Sequence, residues 1–509
     1  FKNIYGDVDY PSSFLNSNTY GSKITFKNST IEDSYVKLYK PFFSLSLTKL
    51  ELIDSNLKNC YSQYGYLIFL KSIKEKNKEF LKIKNTKFNG ISSLLYGYNN
   101  IASISNSQFY NISSRVPYPV ILNSIHSSIS IKDTIFKNIK SQKSGLIGEE
   151  AEYIFENVAF ENIETISKSL LYVIYNSITL NHCTFSNILC NGSINDSSLI
   201  TVESSIYGNN INIKNTIINK CKSNGDLIKL RGEMSNIKFL NISISENTSY
   251  GSILNNESLN SEFSITNSSI KNNDNIHSYK CGIFSNYNRV NITIKDTEFK
   301  NNSNKSNGGS LCIIESDSLN LKIESSIFEN NYAVNGGAIY LSSNNNNNRI
   351  EIRDIQVKNN KATYFGGGIF FDYINLNNTF FNNVKINNNK AYAGGGMYIN
   401  NTISNLPLNF ENYDKDEQIS FENNLSESHG NNYATNPYII KLNSEKSNHF
   451  EIIGGESINI EFSLYDKFIQ EVIDLSKLYS NINLNVSLND DDNEYKVIGN
   501  VCTFLKGKF

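Results

Sequence analysis

The chain has no tryptophan, two methionines and six prolines among its 509 residues. Arginine is also scarce: Arg115, Arg231, Arg289, Arg349 and Arg353 are scattered, and the formal net charge is -2 with a pI near 6.3. Phosphate binding needs clustered Lys and Arg, so this balance excludes nucleic acid as the main partner. The densest basic run, Lys71 to Lys82, is broken by Glu75 and Glu79 and reads as a solvated loop. Seven cysteines occur, with no Cys-x-x-Cys pair and no flanking His at metal spacing, a pattern that fits neither a metal site nor a disulfide framework. Most read as buried small hydrophobes, and Cys281 with Cys312, on successive repeats, is the first pair to test for a bridge. No apolar run approaches the ~18 residues of a membrane span, and no basic-then-apolar leader opens the chain. Phe1-Lys2-Asn3-Ile4 copies Phe136-Lys137-Asn138-Ile139 and so reads as the second half of a repeat whose first half is missing. Membrane anchoring would then depend on segments outside this chain.

Asn, Ile, Ser and Lys crowd the sequence instead. Asn alone contributes about 80 residues, a content that in a non-repetitive chain points to disorder. Here the asparagines fall at fixed phases between apolar triplets, which makes them turn residues able to take the left-handed conformation. The triplets alternate: Ile83-Lys84-Asn85, Ile131-Lys132-Asp133, Ile213-Lys214-Asn215, Ile294-Lys295-Asp296 and Ile352-Arg353-Asp354. Period two means a strand with one buried face.

Two further motifs recur in phase with the triplets. Gly308-Gly309-Ser310-Leu311, Gly336-Gly337-Ala338-Ile339, Gly366-Gly367-Gly368-Ile369 and Gly394-Gly395-Gly396-Met397 lie roughly 28 to 30 residues apart. Each is preceded by Phe299 to Asn302, Phe328 to Asn331, or the aliphatic variants Val357 to Asn360 and Ile386 to Asn389. A period near 29 has room for three short strands and three turns, one rung of a parallel β-helix. Register positions 28, 54, 85, 106, 133, 157, 181, 215, 241, 267, 296, 325, 354 and 383 predict about 14 to 15 coils, a rod of roughly 70 Å at ~4.8 Å each. Phe88, Phe109, Phe136, Phe160 and Phe185 should stack as a ladder that resumes at Phe299 and Phe328. Asn302, Asn331, Asn360 and Asn389 should form an amide ladder at a turn. Gly308, Gly309, Gly336, Gly337, Gly366, Gly367, Gly394 and Gly395 then supply a positive φ or a close backbone approach where the chain bends into the third strand. No amphipathic helix follows them, so they do not read as phosphate-cradling loops, and no cofactor is expected.

Single glycines (Gly65, Gly145, Gly225, Gly251, Gly282) replace the pairs earlier, so residues 1–290 read as degenerate repeats and 291–436 as regular ones, with a longer loop at Asn191 to Ser205. Gly430-Asn431-Asn432-Tyr433-Ala434 reads as a terminal turn. Residues 437–509 change texture to strand-like runs, Ile439 to Leu442, Ile458 to Leu464, Ile482 to Leu488 and Tyr495 to Phe504, expected to form a partial β-sandwich-like domain. Asp490-Asp491-Asp492 falls between the last two runs; three carboxylates can chelate Ca²⁺, but a lone acidic turn is ordinarily solvated, and no metal site is assigned.

The paired motifs, Gly-Gly-[Ala/Gly/Ser]-[Ile/Leu/Met] with Phe-x-x-Asn, resemble those of the chlamydial polymorphic outer-membrane protein repeat. The match is clearest from Phe299 to Met397 and extends more loosely over residues 1 to about 435. The resemblance implies a right-handed, single-stranded parallel β-helix of the kind used in adhesins and autotransporter passengers, in an extracellular or cell-surface location. The expected function is therefore a non-enzymatic adhesin or structural module that meets a protein or glycan ligand through many repeated contacts. Tyr332, Tyr364 and Tyr392, near the turns, are candidates for stacking on such a ligand, although ordinary surface packing beside the turns is the simpler account of them.

The competing reading is a polysaccharide lyase or hydrolase of pectin-like polymers. Such chemistry needs facing carboxylates, or a base with Ca²⁺ or a cationic neighbour. Asp133, Asp296 and Asp354 occupy the turn phase, the five histidines (His126, His182, His277, His429, His449) fall at unrelated phases expected at the surface, and no Arg-Lys cluster accompanies a carboxylate. About 15 Asn-x-Ser/Thr sequons occur, close to what this composition gives by chance, so they do not argue for secretion.

Overall fold

Apolar residues at every second position can bury one face of an extended strand while the other stays wet. In the computed structural model this alternation builds strand after strand: Met234–Leu240, Asn260–Thr266, Arg289–Lys295 and Leu319–Glu324 each run parallel to the next, residue for residue. The structure describes the chain except residues 6–12, 38–39, 64, 74–77, 280, 316–317, 344–347, 375, 401–417, 444–454, 456, 458–459, 486, 488–497, 500, 506 and 509. Strand accounts for 59% of it, in stacked parallel coils that form a β-solenoid of about 13 turns, slightly fewer than the 14 to 15 expected. The first and second strands of the coils join one continuous sheet of 34 strands, and the third strands form sheets of five and ten. Beyond Leu122–Ile125 the five-stranded sheet continues only through an isolated bridge, Leu122 to Ile147, and the ten-stranded sheet begins at Leu171–Ile174.

One coil illustrates the rest. Leu319–Glu324 is the first strand, Ser325 (φ 48) turns the chain, Ile327–Glu329 is the second strand, Asn330 (φ 54) turns it again, and Ile339–Ser343 is the third. A two-residue piece, Tyr332–Ala333, lies between the second turn and the glycines and pairs with its counterparts in adjacent coils. This coil thus has four strand segments where three were expected, because the left-handed Asn bends the Phe-bearing strand sharply without ending its pairing; in the next two coils the first and second strands run on as one, Arg349–Lys358 and Thr379–Asn387. The predicted register positions carry positive φ from Asn28 to Asn383, except at 181, where His182 (φ 54) takes the turn one residue later. The loop expected at Asn191 to Ser205 is shorter than that, since Ile200–Ser204 is a third strand.

Inside, like residues stack on like. Phe88, Phe109, Phe136, Phe160 and Phe185 follow one another at ring spacings of 4.5, 5.0, 5.2 and 4.6 Å with planes within 17°. Ile218, Ile244 and Ile270 hold the same register until Phe299 and Phe328, 4.9 Å apart, resume it. Outside, Lys132, Lys137 and Lys140 face Glu156, Glu161 and Glu164 of the next coil at 3.1, 2.9 and 2.8 Å. Exposed pairs of this kind contribute only ~0.2–1 kcal/mol each, but they disfavour a slipped register.

The second turn divides its two asparagines. Asn301 takes the left-handed conformation and stays exposed, while Asn302 is buried. The side-chain Oδ1 of Asn331 accepts both the backbone N–H of Asn302 (3.1 Å) and its Nδ2 (3.2 Å), and Nδ2 of Asn331 donates to the Phe299 carbonyl (3.1 Å) and to Asn360 (2.9 Å). The same pattern runs from Asn247 through Asn273, Asn302, Asn331, Asn360 and Asn389 to Asn424. Buried backbone groups cost heavily when unpaired, and this ladder pairs them coil after coil.

The glycine pairs also split their work. Gly336 has φ 60, a conformation that suits glycine. Gly337 has no such φ; a Cβ there would lie 2.1 Å from the Gly367 carbonyl oxygen of the next coil. Its role is close approach and not turn conformation, so even alanine should not fit.

Two outcomes follow for stability. Asn331→Ala orphans the Asn302 N–H and the Phe299 carbonyl, an expected loss of about 2–6 kcal/mol at about 1–3 kcal/mol per buried group, read from the denaturant midpoint. Gly337→Ala and Gly337→Val should each lower the melting temperature, with a loss of about 3 kcal/mol or more; an unchanged melt would remove the close-approach argument.

Candidate functional site

The residues singled out by the sequence motifs lie within the wall of the solenoid. Gly308, Gly309, Gly336, Gly337, Gly366, Gly367, Gly394 and Gly395 are buried, as are Phe299, Phe328, Asn302, Asn331, Asn360 and Asn389. They build the scaffold and offer no atoms to a ligand. Surfaces available for recognition must come from side chains that point the other way.

The outward face of the third sheet gathers the most chemistry. Its inward residues, such as Val202, Leu230, Ile313, Leu341 and Phe371, belong to the main core. Between them Tyr172, Thr201, Lys229, Asn255, Ser285, Cys312, Tyr340, Phe370 and Tyr398 form one column, coil to coil. The first part of this column is polar. Arg231 donates through Nε and Nη2 to Oε2 of Glu203 (2.9 and 2.8 Å) and through Nη2 to the Tyr172 hydroxyl (2.7 Å), with its guanidinium 5.8 Å from the Tyr172 ring centre. Burial, with the Glu203 carboxylate nearby, pushes the Tyr172 hydroxyl up although Arg231 opposes it. From the coil of Arg231, Lys229 faces Glu257 of the next coil at 3.6 Å, and the buried Asp226 accepts the Ser252 N–H (2.8 Å) and Nδ2 of Asn255 (2.7 Å) there.

The second part is aromatic. Cys281 and Cys312 form a disulfide between neighbouring coils, Cα atoms 5.8 Å apart. Above it Tyr340, Phe370 and Tyr398 stack at 5.1 and 5.4 Å, planes within 11°. Beside the stack Asp372 accepts from the Tyr340 hydroxyl (2.8 Å), the Ser342 hydroxyl (3.3 Å) and Nδ2 of Asn400 (2.7 Å). Burial and the adjacent Asp372 carboxylate raise the Tyr340 hydroxyl pKa.

Several expectations change here. Tyr332 and Tyr364 are about 40% exposed (40% and 41%), but Tyr392 is buried at 3%, its hydroxyl bonded to the buried Asp474. His429 is likewise 3% exposed and not at the surface; burial lowers its pKa. In both cases the cause is the later segment, which folds back over the last coil. His182 occupies a turn phase, and His126 (φ 55) also takes the left-handed conformation. Carboxylates do acquire cationic neighbours: Lys322 meets Glu324, and Arg349 and Arg353 meet Glu351, each two positions away on the same strand, while Lys295 reaches Glu324 from the preceding coil.

Asp133, Asp296 and Asp354 all hold left-handed turns, with φ of 50, 49 and 52. Asp133 and Asp354 accept Nδ2 of Asn157 and Asn383, 2.6 and 2.8 Å away on the next coil. Among the described residues no group of three His, Cys, Asp or Glu is placed to hold a metal ion. Asp490, Asp491 and Asp492 lie outside the described residues. The outward columns change residue type from coil to coil, Tyr172, Thr201, Lys229, Asn255 and Ser285, so no repeated letter marks them in the sequence. Glu203 and Arg231 lie 28 positions apart, the signal that could have revealed them.

No protein-family model, curated protein or solved structure matches this chain.

Thiol chemistry gives a direct check on the packing. Burial pushes Cys60 and Cys221 up to about 12 and Cys183 and Cys190 up to about 11, while Cys502 is half-buried. Thiolates react and thiols do not. Labelling the native protein with iodoacetamide at pH 8 should therefore modify Cys502 and spare the other four free thiols. Urea should expose all five, and reduction should add Cys281 and Cys312.

Proposed function

We propose that this chain is a non-enzymatic, extracellular or cell-surface β-solenoid that serves as an adhesin or structural repeat module, in keeping with its resemblance to the polymorphic outer-membrane protein repeat. The observation that carries this reading is the fixed register of the coils, which sets outward side chains in straight rows at repeat spacing. Such rows suit a ligand that repeats as well, a glycan chain or an array of surface protein, where many weak contacts add through effective concentration. The half-exposed Tyr332 and Tyr364, one coil apart, are suited to stack on sugar rings or on a protein surface. The Cys281–Cys312 disulfide supports an oxidising compartment, since such bonds persist outside the reducing cytosol. The engagement of Asp133, Asp296 and Asp354 in turns weighs against the pectin lyase or hydrolase reading, which needs such carboxylates free to face a substrate.

A glycan and surface-protein array probed with the full chain tests the proposal. For any glycan that scores, binding to the densely immobilised form should be roughly 10²-fold tighter than to the free oligosaccharide. Equal affinity for the two forms would remove multivalency. Release of reducing ends or unsaturated uronates from pectin would favour the enzyme instead.

A further inference from the structure

A parallel sheet leaves its last strand with donors and acceptors facing outward, a ready template for another chain. The last third strand of this solenoid, Tyr433–Thr435, pairs with Met397–Ile399 on one side. Its other side is met by side chains. The Thr435 N–H donates to Oδ2 of Asp466 (3.1 Å), the Thr435 carbonyl lies 2.9 Å from Nε2 of His429, and the Tyr433 carbonyl accepts Nε2 of Gln470 (2.9 Å). The Thr435 hydroxyl in turn accepts the N–H of Lys467 at 2.9 Å.

The segment that supplies most of these groups is itself held in place. Oδ1 of Asp466 accepts the N–H groups of Phe468 and Gln470, both at 2.9 Å, which fixes the turn carrying Gln470. The Phe468 ring meets Tyr433 edge-on at 4.9 Å and packs against the main core. Further on, Asp474 accepts the Leu478 and Tyr479 N–H groups (2.9 and 2.8 Å) and the Tyr392 hydroxyl, a contact that reaches back to the preceding coil. Asp466 and Asp474 are both fully buried. Buried carboxylates are costly unless hydrogen-bonded, and here their acceptors are directed at backbone N–H groups of the edge and of the segment. Strands Pro437–Leu442 and Phe462–Asp466 pair antiparallel, so the chain leaves the stacking direction of the coils at this point.

We propose that residues 462–482 form an end cap, which closes the solenoid edge with the side chains of Asp466 and Gln470 and so keeps that edge from pairing with a second copy of the chain. Residues of the last coil complete the closure, as His429 does for the Thr435 carbonyl.

The test compares the full chain with an Asp466→Ala/Gln470→Ala variant by light scattering across a concentration series and by amide exchange of residues 433–435. The expected result is exchange at Thr435 roughly tenfold faster or more, with a mass that rises toward multiples of the monomer as concentration increases. A variant that stays monomeric with wild-type exchange overturns the proposal, as does a wild-type protein that already dimerises through this edge. If the double variant loses its far-ultraviolet β signal, Asp466→Asn decides. It keeps the side-chain volume but turns a donor toward the Thr435 N–H, and the same two readouts apply with the same meaning.

Discussion

The amide ladder sets the terms for the rest of the fold. A coil that turns three times buries backbone groups at each corner, and at the second corner they point inward, away from water. One asparagine per coil resolves this by lending a carbonyl to a backbone N–H of the coil before it and an amide hydrogen to a carbonyl of that same coil, as Asn360 does for Asn331 and for Phe328. No other side chain of that length offers both a donor and an acceptor without charge. The Phe and Ile columns can vary between aromatic and aliphatic because burial is non-directional. The ladder is less tolerant, and from Asn247 to Asn424 it is unbroken.

What the sequence revealed follows from this difference. Directional constraints leave fixed letters: Asn at the buried turn, Asn or Asp at left-handed corners, glycine where Gly309 or Gly367 lies against the backbone of the next coil. Those letters made the coil length, the strand phases and the buried ladders readable, and they put Cys281 and Cys312 on successive repeats, which made them the first pair to test for the bridge that the structure contains. The outward face is under no such constraint. Tyr172, Glu203 and Arg231 belong to three coils, 28 to 59 positions apart, and meet because the register brings them together. The contacts of the later segment were hidden for a related reason. Tyr392 and Asp474 are separated by 82 positions and by a change of texture, so no repeat connects them. His429 looked like a surface residue because it sits outside the repeated phases; it is buried because that segment covers it.

The two parts of the third sheet differ in what they can offer. Around Tyr172 and Arg231 the polar groups remain partly exposed, with Arg231 34% and Glu203 26% accessible. Around Tyr340, Phe370 and Tyr398 the rings are covered and Asp372 already has its donors. The polar groups that this sheet leaves accessible therefore lie on the earlier coils, while the later coils bury theirs.

The disulfide also bears on how the protein responds to mechanical load. Tension along the rod pulls on the hydrogen bonds between coils, which can release one coil after another, each lengthening the chain as it unwinds. Cys281 and Cys312 are 31 positions apart and joined across adjacent coils. The chain between them, about 100 Å long if fully extended, cannot contribute to that lengthening while the bond is intact. Tethered between two surfaces, the protein would have a shorter reach under oxidising conditions than under reducing ones, with the same sequence and the same fold at rest.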